Sequence, residues 1–359
     1  MKIAIVGLSN SGKTTVFNAL TRGTAETTAF TSGRFEPNLA SVKVPDPRLD
    51  VLAEIYKPRK LTAAEVQYVD VGGFRGEGEG TELSAEILGY IGTADALLHV
   101  VRAFEDERVP HPSEVINPEA DLAGIDLELI FSDLLIIERR LERLEKELKK
   151  TSGQEKKTKI DEQEVLFRLK EALEKERPIR DLELSPQEEK LIRGYSLLSK
   201  KPVLVVLNIG EEQLSAPPPL EYDHLNSLVV PLSGKIEEEL TQLEESDARE
   251  FMESLKIQEP ARDRVIAASY ALLGLISFLT VGEDEVRAWT ILQGAVAAEA
   301  GGVIHSDIER GFIRAEVISF ENLVESGSMA NARKQGLLRL EGRNYVLQDG
   351  DISHFLFNV

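Results

Sequence analysis

Residues 3–15 read Ile-Ala-Ile-Val-Gly-Leu-Ser-Asn-Ser-Gly-Lys-Thr-Thr, an apolar strand pattern followed directly by the motif G-x-x-x-x-G-K-T. Gly7 and Gly12 allow the backbone to fold back on itself, and apolar residues at helical spacing after Lys13 predict a helix. In such a loop, backbone N–H groups and the positive end of the helix converge on a polyphosphate. A glycine-rich turn between a strand and a helix, without a ligand, is the alternative, and the flanking strand and helix patterns disfavour it. The stretch therefore predicts a nucleoside-phosphate site in an α/β domain.

The residues of this loop have separate predicted roles. The Lys13 ammonium would reach the β- and γ-phosphates and support catalysis, and the Thr14 hydroxyl would coordinate Mg²⁺. The predicted phosphate-binding residues are Leu8, Ser9, Asn10, Ser11, Gly12, Lys13, Thr14, Thr15 and, further along the chain, Gly73.

A second motif, D-x-x-G, ends the alternating strand pattern of residues 65–71. Asp70 would hold Mg²⁺ through a water molecule, and the Gly73 N–H would contact the γ-phosphate as a second catalytic group. The alternative is an ordinary Asp-Gly turn. The next residue is Phe74, where many switch GTPases carry a glutamine that orients the attacking water. Because phenylalanine cannot orient water, the sequence predicts slow intrinsic hydrolysis.

The residues that would read the base follow a strand pattern at 203–207, where GTPases carry N-K-x-D; here the motif is Asn208-Ile209-Gly210-Glu211. In N-K-x-D the aspartate accepts hydrogen bonds from the guanine N1–H and 2-amino groups, and the longer glutamate would not occupy the same place. The residues that would specify guanine are therefore incomplete and adenine is the favoured base, with a loop without base contact as the alternative. The predicted base-binding residues are Asn208, Ile209, Glu211 and a triplet that resembles the S-A-K element, Ser233, Gly234 and Lys235.

The composition limits the class of protein. The chain has 359 residues, a formal net charge of −20 and no cysteine, so disulfides, thiol chemistry and a thiolate metal site are excluded. No apolar run approaches membrane-spanning length, and the sequence starts directly with a core strand, so we expect a cytoplasmic protein without membrane contact. The negative charge disfavours indiscriminate nucleic-acid binding, and no specific DNA contact is expected.

An insertion with two apolar stripes separates the strand patterns at 96–101 and 203–207. The stripes consist of Leu134, Ile137, Leu141, Leu144 and Leu148, and of Leu166, Leu169 and Leu173. Their alternating spacing predicts an antiparallel two-helix coiled coil. The basic segment between them would contact RNA phosphates, with a merely solvated hairpin as an equal alternative. Its lysines are Lys149, Lys150, Lys156, Lys157 and Lys159.

From about residue 276 the pattern changes to short β segments separated by glycine. Strands are predicted at 276–281, 288–292, 312–318, 337–340, 345–347 and 352–357, with a short helix at 321–331. A small sheet that grasps one helix is the expected fold of this module.

The ordered motifs resemble those of the YchF subfamily of Obg-like P-loop NTPases. Besides the nucleotide motifs, the resemblance rests on V-P-D-P-R-L at 44–49, V-R-A-W-T at 286–290, G-V-I-H at 302–305, E-R-G-F-I-R-A-E-V-I at 309–318 and Q-D-G-D at 348–351. It spans the whole chain.

This resemblance implies a Ras-like P-loop domain, an inserted helical coiled-coil arm and a C-terminal ubiquitin-like β-grasp domain of the TGS type. The corresponding predicted boundaries are 1–122 with 200–275, 123–199 and 276–359. It further implies an ATPase that tolerates GTP, with a hydrophobic residue in place of the catalytic glutamine, that associates with the ribosome and ribosomal RNA. Asn10 lies where some relatives of this class hold K⁺.

Two departures from the family pattern affect the hydrolysis prediction. Arg34-Phe35 precedes Glu36-Pro37-Asn38 where the family has Thr-Ile, and the segment after Gly73 is about five residues short. We therefore expect a slow Mg²⁺-dependent ATPase that acts as a ribosome-associated switch, monomeric rather than oligomeric. A GTPase translation factor and an ATP-sensing protein with little hydrolysis remain the alternatives.

Overall fold

The computed structural model describes residues 1–23, 37–71, 85–113 and 115–358. Gly73, Phe74 and the loop at 31–36 therefore lie outside the described residues. The chain divides into two compact units: Met1–Ala40 with Gln67–Val265, and Ser41–Val66 with Ile266–Val359.

The strands of the described residues are, in chain order, β1 (Lys2–Val6), β2 (Asn38–Lys43), β3 (Lys60–Thr62), β4 (Glu65–Asp70), β5 (Ala96–Arg102), β6 (Val203–Asn208), β7 (Ser227–Leu232), β8 (Leu275–Thr280), β9 (Glu285–Leu292), β10 (Phe312–Ile318), β11 (Arg339–Glu341) and β12 (Ile352–Phe357).

The α-helices of the described residues are α1 (Lys13–Thr21), α2 (Pro47–Tyr56), α3 (Ala85–Thr93), α4 (Pro118–Leu148), α5 (Gly153–Leu173), α6 (Pro186–Ile192), α7 (Gly234–Gln242), α8 (Glu245–Ser254), α9 (Ala261–Leu272), α10 (Ala297–Ile304), α11 (Ser306–Arg310), α12 (Phe320–Ser326) and α13 (Met329–Lys334). Short 3₁₀ turns occur at Ile179–Asp181, Arg193–Tyr195 and Glu211–Gln213.

The first six-stranded sheet has the order β2-β4-β1-β5-β6-β7. The strands from β4 to β7 in this order are parallel, and β1, β5 and β6 are almost entirely buried apolar runs, as expected for a sheet covered on both faces. Leu122, Ile125 and Leu129 of α4 pack onto this sheet in one core cluster. Because the strands are parallel, the carboxyl ends of β1, β4, β5 and β6 lie at one edge, where ligands of open α/β sheets bind.

Helices α4 and α5 form the predicted antiparallel coiled coil. Asn117 caps α4 by accepting a hydrogen bond from the Ala120 N–H at 3.1 Å, and Pro118 occupies the first turn. The buried residues of the two helices share one cluster, which includes Ile137, Leu141, Leu144, Leu166, Leu169 and Leu173. Ion pairs join Glu138 to Lys170 at 2.8 Å and Glu147 to Lys159 at 3.1 Å. A residue later in α4 therefore pairs with a residue earlier in α5. The helices therefore run in opposite directions.

The second six-stranded sheet has the order β11-β10-β12-β8-β9-β3. Its neighbours β12 and β8 are parallel, whereas β8–β9, β10–β12 and β10–β11 are antiparallel. Ala297 and Ala300 of α10 pack with Phe278 and Phe355 of the sheet in one core cluster. A mixed sheet that wraps one helix is a β-grasp arrangement, as the sequence predicted.

Two details of this unit differ from the sequence prediction. Residues 345–347 form no strand, because only an isolated bridge joins Val346 to Val296. The single helix predicted at 321–331 is two helices, α12 and α13, because Gly327 adopts the left-handed region at φ 71° and ends the first of them.

The segment Ser41–Val66 belongs to the second unit although the nucleotide motifs flank it in sequence. Leu61 of β3 pairs in parallel with Val286 of β9, and the Arg48 guanidinium in α2 contacts the Asp349 carboxylate at 2.8 Å. The sequence did not suggest this grouping, and the predicted domain boundaries stay a prediction.

Candidate nucleotide site

The loop between β1 and α1 has a backbone that only glycine permits at two positions. Gly7 has φ 149°, and a Cβ there would lie 2.4 Å from the Val100 carbonyl oxygen. Gly12 has φ 91°, and a Cβ there would lie 2.2 Å from Asn208 Nδ2. Both glycines of the motif are therefore required by close approach, Gly7 to β5 and Gly12 to the last residue of β6.

The Lys13 side chain is buried inside this loop. Its Nζ donates a hydrogen bond to the Leu8 carbonyl oxygen at 2.6 Å. Burial lowers the pKa of Lys13 to about 8, and the Asp70 carboxylate partly opposes this shift. The ammonium is thus held near the loop that would surround the phosphates.

Thr14 and Asp70 meet at the edge of the sheet. The Thr14 hydroxyl donates to an Asp70 carboxylate oxygen at 3.1 Å, and the Asp70 side chain is buried. Both side chains present oxygen atoms, which are the hard ligands that Mg²⁺ prefers, either directly or through a bound water. These two residues therefore fit a Mg²⁺ site that a nucleotide would complete.

The described part of the chain contains no cluster of three or more histidine, cysteine, aspartate or glutamate residues that could hold a metal by itself. A site with one hydroxyl and one carboxylate agrees with this, since Mg²⁺ bound with nucleotides takes few protein ligands and keeps several waters.

Asn208 joins the loop between β1 and α1 to the segments that follow β5 and β7. Its Nδ2 donates to the Ser11 carbonyl oxygen at 2.9 Å, and its Oδ1 accepts from the Gly234 N–H at 3.0 Å. Its backbone oxygen accepts from the N–H groups of Ala103 and Phe104 at 2.8 and 3.1 Å. With the side chain buried and engaged in these bonds, Asn208 fixes three loops relative to one another.

The other residues of the predicted base-reading motif have different environments. Ile209 is buried in the core cluster of the first unit. Glu211 is exposed at the start of the Glu211–Gln213 turn. Gln213 braces this turn, since its Oε1 accepts from the Gly210 N–H at 2.7 Å and its Nε2 donates to the Ala103 carbonyl oxygen at 3.2 Å.

The triplet after β7 also lies beside the phosphate loop. Ser233 is buried and precedes α7, and a Cβ built on Gly234 would lie 3.3 Å from Thr15 Cγ2. Lys235 is exposed. The structure therefore brings Ser11, Thr15, Asn208 and Gly234 into one neighbourhood.

The segment that follows β5 contributes residues that the sequence analysis missed. The Phe104 ring has an atom 3.9 Å from the Cβ position of Gly12, and the Arg102 guanidinium lies 4.4 Å from the Phe104 ring centroid. Further along, the Pro110 carbonyl oxygen accepts a hydrogen bond from Asn10 Nδ2 at 2.9 Å. An aromatic residue two positions after a central strand was the available signal for Phe104.

The lysines of the predicted RNA contact differ in exposure and in ion pairing. Lys159 forms ion pairs with Glu147 at 3.1 Å and Glu155 at 2.9 Å, so its charge is compensated within the arm. The other four are exposed and lie at the end of α4, in the connection and in the first turns of α5: Lys149, Lys150, Lys156 and Lys157.

The parallel sheet, the glycine-dependent loop with Lys13 and the Thr14–Asp70 pair define a P-loop nucleotide-binding domain. The family model of the "50S ribosome-binding GTPase" matches residues 2–133, and the model YchF-GTPase_C, described as a protein of unknown function, matches residues 275–358. No helix in the described part of the chain has the length and apolarity needed to span a membrane.

Whole-chain comparisons agree. The chain is 42% identical to the ribosome-binding ATPase YchF of Bacillus subtilis, over 99% of this chain and 98% of the relative, and 40% identical to that of Pasteurella multocida, over 100% and 99%. The solved structure of the Schizosaccharomyces pombe YchF GTPase superposes with a TM-score of 0.87 at 32% identity and covers 99% of this chain and 97% of that one. This chain belongs to the YchF family.

Proposed function

We propose that this protein is a Mg²⁺-dependent ATPase that tolerates GTP, hydrolyses slowly and acts as a nucleotide-controlled switch on the ribosome. The observation that carries the nucleotide part is the convergence of Lys13, the Thr14–Asp70 pair and Asn208 at one edge of the parallel sheet. The relatives named ribosome-binding ATPase support the remainder.

Each residue of the site has a role in this proposal. The loop N–H groups and Lys13 bind the phosphates, and Lys13 stabilises the charge that develops during transfer. Thr14 and Asp70 would hold the Mg²⁺, which screens the phosphate charge when bound. Asn208 positions the phosphate loop against the loops that flank the base. The Gly73 N–H is proposed as the γ-phosphate contact.

ATP is the proposed nucleotide because no aspartate stands at the guanine-reading position. Glu211 is exposed at the turn after β6, and its carboxylate forms no hydrogen bond or ion pair with another described residue, so this group is free to contact a base. The partly exposed Phe104 ring beside Gly12 offers a flat apolar surface that suits either purine.

Equilibrium binding of Mg·ATP and Mg·GTP analogues to wild type and to Glu211→Asp tests this assignment. We expect ATP to bind at least about tenfold tighter, or about 1.4 kcal/mol, and Glu211→Asp to narrow that gap. Glu212→Asp is the matched control, since Glu212 is the exposed neighbour in the same turn, and it should leave the ratio unchanged. Equal or tighter GTP binding by the wild type would support the GTPase alternative instead.

Slow hydrolysis is proposed from Phe74, which stands where a water-orienting glutamine would be. Asn10 is the proposed K⁺ ligand, since its Nδ2 contacts Pro110 and its Oδ1 carries no other bond within the described residues. The rate of ATP turnover, measured in K⁺ and in Na⁺, tests both the slow hydrolysis and the role of Asn10 as a K⁺ ligand. Faster turnover in K⁺ supports the ligand, equal rates argue against it, and no turnover in either salt favours the ATP-sensing alternative.

A further inference from the structure

A pocket of about 270 Å³ opens at the base of the coiled coil. None of its lining residues belongs to the phosphate loop. Its walls come from the first turns of α4, the segment before the Ile179–Asp181 turn and the loop before β7. The apolar part of the lining consists of Leu122, Ala123, Leu127, Ile130 and Pro178.

The apolar lining continues along the solvent side of α4. Leu127, Phe131 and Leu135 follow one another at spacings of four residues, which places them on one face of a helix. They are 43%, 58% and 37% exposed, high values for large apolar side chains. We call the pocket together with this stripe the arm-base groove.

The rim of the arm-base groove carries uncompensated negative charge. Glu119, Glu176, Glu221 and Asp223 line the pocket, are exposed and form no ion pair with any residue that the structure describes. The nearby basic groups are already engaged within the protein: Arg180 with Asp126, His224 with Asp181, and Arg177 with the Asp181 carbonyl oxygen.

Hydrogen bonds, an ion pair and a ring contact within the protein hold the walls of the pocket in place. The Tyr222 hydroxyl donates to Asp126 at 2.7 Å and also bonds to Arg180, and His224 contacts Asp181 at 2.7 Å. The Tyr222 and His224 rings meet edge to face at 4.7 Å. Such bonds reduce the ordering that binding would require.

We propose that the arm-base groove binds a basic segment of a protein partner, in which an apolar side chain fills the pocket while lysine or arginine residues contact the acidic rim. Apolar lining selects the anchor, and four unpaired carboxylates select the positive flanks. RNA carries the wrong charge for this rim, and a second copy of a chain with net charge −20 would be repelled overall. We assign this segment to a basic ribosomal protein, and that assignment rests on the proposed function.

The test measures binding of a fluorescein-labelled peptide to the full chain by fluorescence anisotropy. The peptide carries leucine and phenylalanine at helical spacing among lysines. Two comparison peptides replace the lysines by glutamate or the apolar residues by serine. The variants are Leu127→Ser and the pair Glu221→Lys, Asp223→Lys. Matched controls on the coiled coil are Phe167→Ser and the pair Glu142→Lys, Glu145→Lys, all at exposed positions.

We expect saturable binding of the basic apolar peptide, weakened about tenfold or more by each groove variant and unchanged in the matched controls. Equal weakening by groove and control variants, or equal binding of the serine peptide, overturns the proposal. So does preferential binding of a ribosomal RNA fragment, or a dimer in sedimentation that the groove variants abolish.

The peptide assay contains no ribosomes, so its failure counts against the groove alone. Failure of the wild-type protein to sediment with ribosomes counts against the proposed function and leaves the peptide result standing. Unaltered sedimentation of the groove variants, together with weakened peptide binding, overturns the ribosomal protein as the source of the segment.

Discussion

At the scale of single residues, the nucleotide site depends on a few buried polar groups whose partners come from distant parts of the chain. The Lys13 side chain lies inside the loop that would bind the phosphates. Its pKa is lowered to about 8 because the ammonium is removed from water. Asn208 has both ends of its amide occupied by backbone groups of two other loops. These hydrogen bonds hold both side chains in fixed positions beside the loop.

The lowered pKa of Lys13 predicts a pH-dependent affinity. The free protein loses the Lys13 proton as pH rises through about 8, whereas bound phosphate favours the charged form, so binding takes up a proton above that pH. The affinity for a non-hydrolysable ATP analogue should fall by up to about tenfold per pH unit above the pKa. Isothermal titration across this range measures it.

Lys235→Met serves as the control for this measurement, since Lys235 is an exposed lysine on the base side of the site. It should keep the pH dependence of the wild type. An affinity that stays constant through this range would show that Lys13 remains charged without nucleotide.

At the scale of elements, helix α4 is tied to the segment before β6 by a buried carboxylate within the first unit. Asp133 of α4 accepts hydrogen bonds from the Leu198 N–H, the Ser199 N–H and the Ser199 hydroxyl, each at 2.7 Å. Burial raises the pKa of Asp133 to about 6 in spite of these bonds. The segment that leads into β6 is thereby fixed to the middle of α4.

Asp133→Ala should destabilise the protein by about 3 kcal/mol, because it leaves two buried backbone N–H groups without acceptors. Urea unfolding followed by circular dichroism measures the change. Glu142→Ala, at an exposed position of the same helix, should change stability by less than about 0.5 kcal/mol. A small effect of Asp133→Ala would mean that water replaces the carboxylate.

The end of the coiled coil is the proposed ribosomal RNA contact. The pair Lys156→Glu, Lys157→Glu should reduce co-sedimentation with ribosomes and weaken its dependence on salt, because phosphate contacts release counterions. The matched pair Lys190→Glu, Lys334→Glu makes the same change in net charge at other exposed positions. Equal loss from both pairs would indicate a response to total charge and not a contact at this end.

At the scale of the whole molecule, the chain leaves the first unit after β2 begins and returns along β4. The intervening segment belongs to the second unit through β3–β9 pairing and through Arg48, whose guanidinium bonds to both Asp46 and Asp349. Asp349 also accepts from the Ser277 N–H at 2.8 Å. Two segments far apart in sequence thus complete one β-grasp unit.

Arg48→Ala should therefore destabilise the second unit by about 2 kcal/mol, since it leaves the buried Asp46 carboxylate without its partner. Arg59→Ala is the control: the Arg59–Asp284 pair also joins the two segments, but its side chains are 85% and 87% exposed, so its removal should cost under about 1 kcal/mol. Thermal unfolding of both variants provides the comparison, and similar losses would contradict the importance assigned to Arg48.

The sequence alone predicted the elements and residues whose signals lie within a few neighbouring positions. The phosphate loop, the Asp70 motif, the heptad stripes and most strands of the C-terminal unit are local patterns of spacing and residue type, because turns, helices and strands impose short periods on the chain. The Thr14 hydroxyl lies 3.1 Å from an Asp70 carboxylate oxygen, and the shared role of the two residues at Mg²⁺ stays a prediction.

Only the tertiary structure showed which distant residues meet. The position of Phe104 beside Gly12, the contact between Asn10 and Pro110, the assignment of Ser41–Val66 to the second unit and the arm-base groove all depend on contacts across many residues. Such contacts leave no periodic trace in sequence, because they are decided by how buried surfaces pack and not by the geometry of one element.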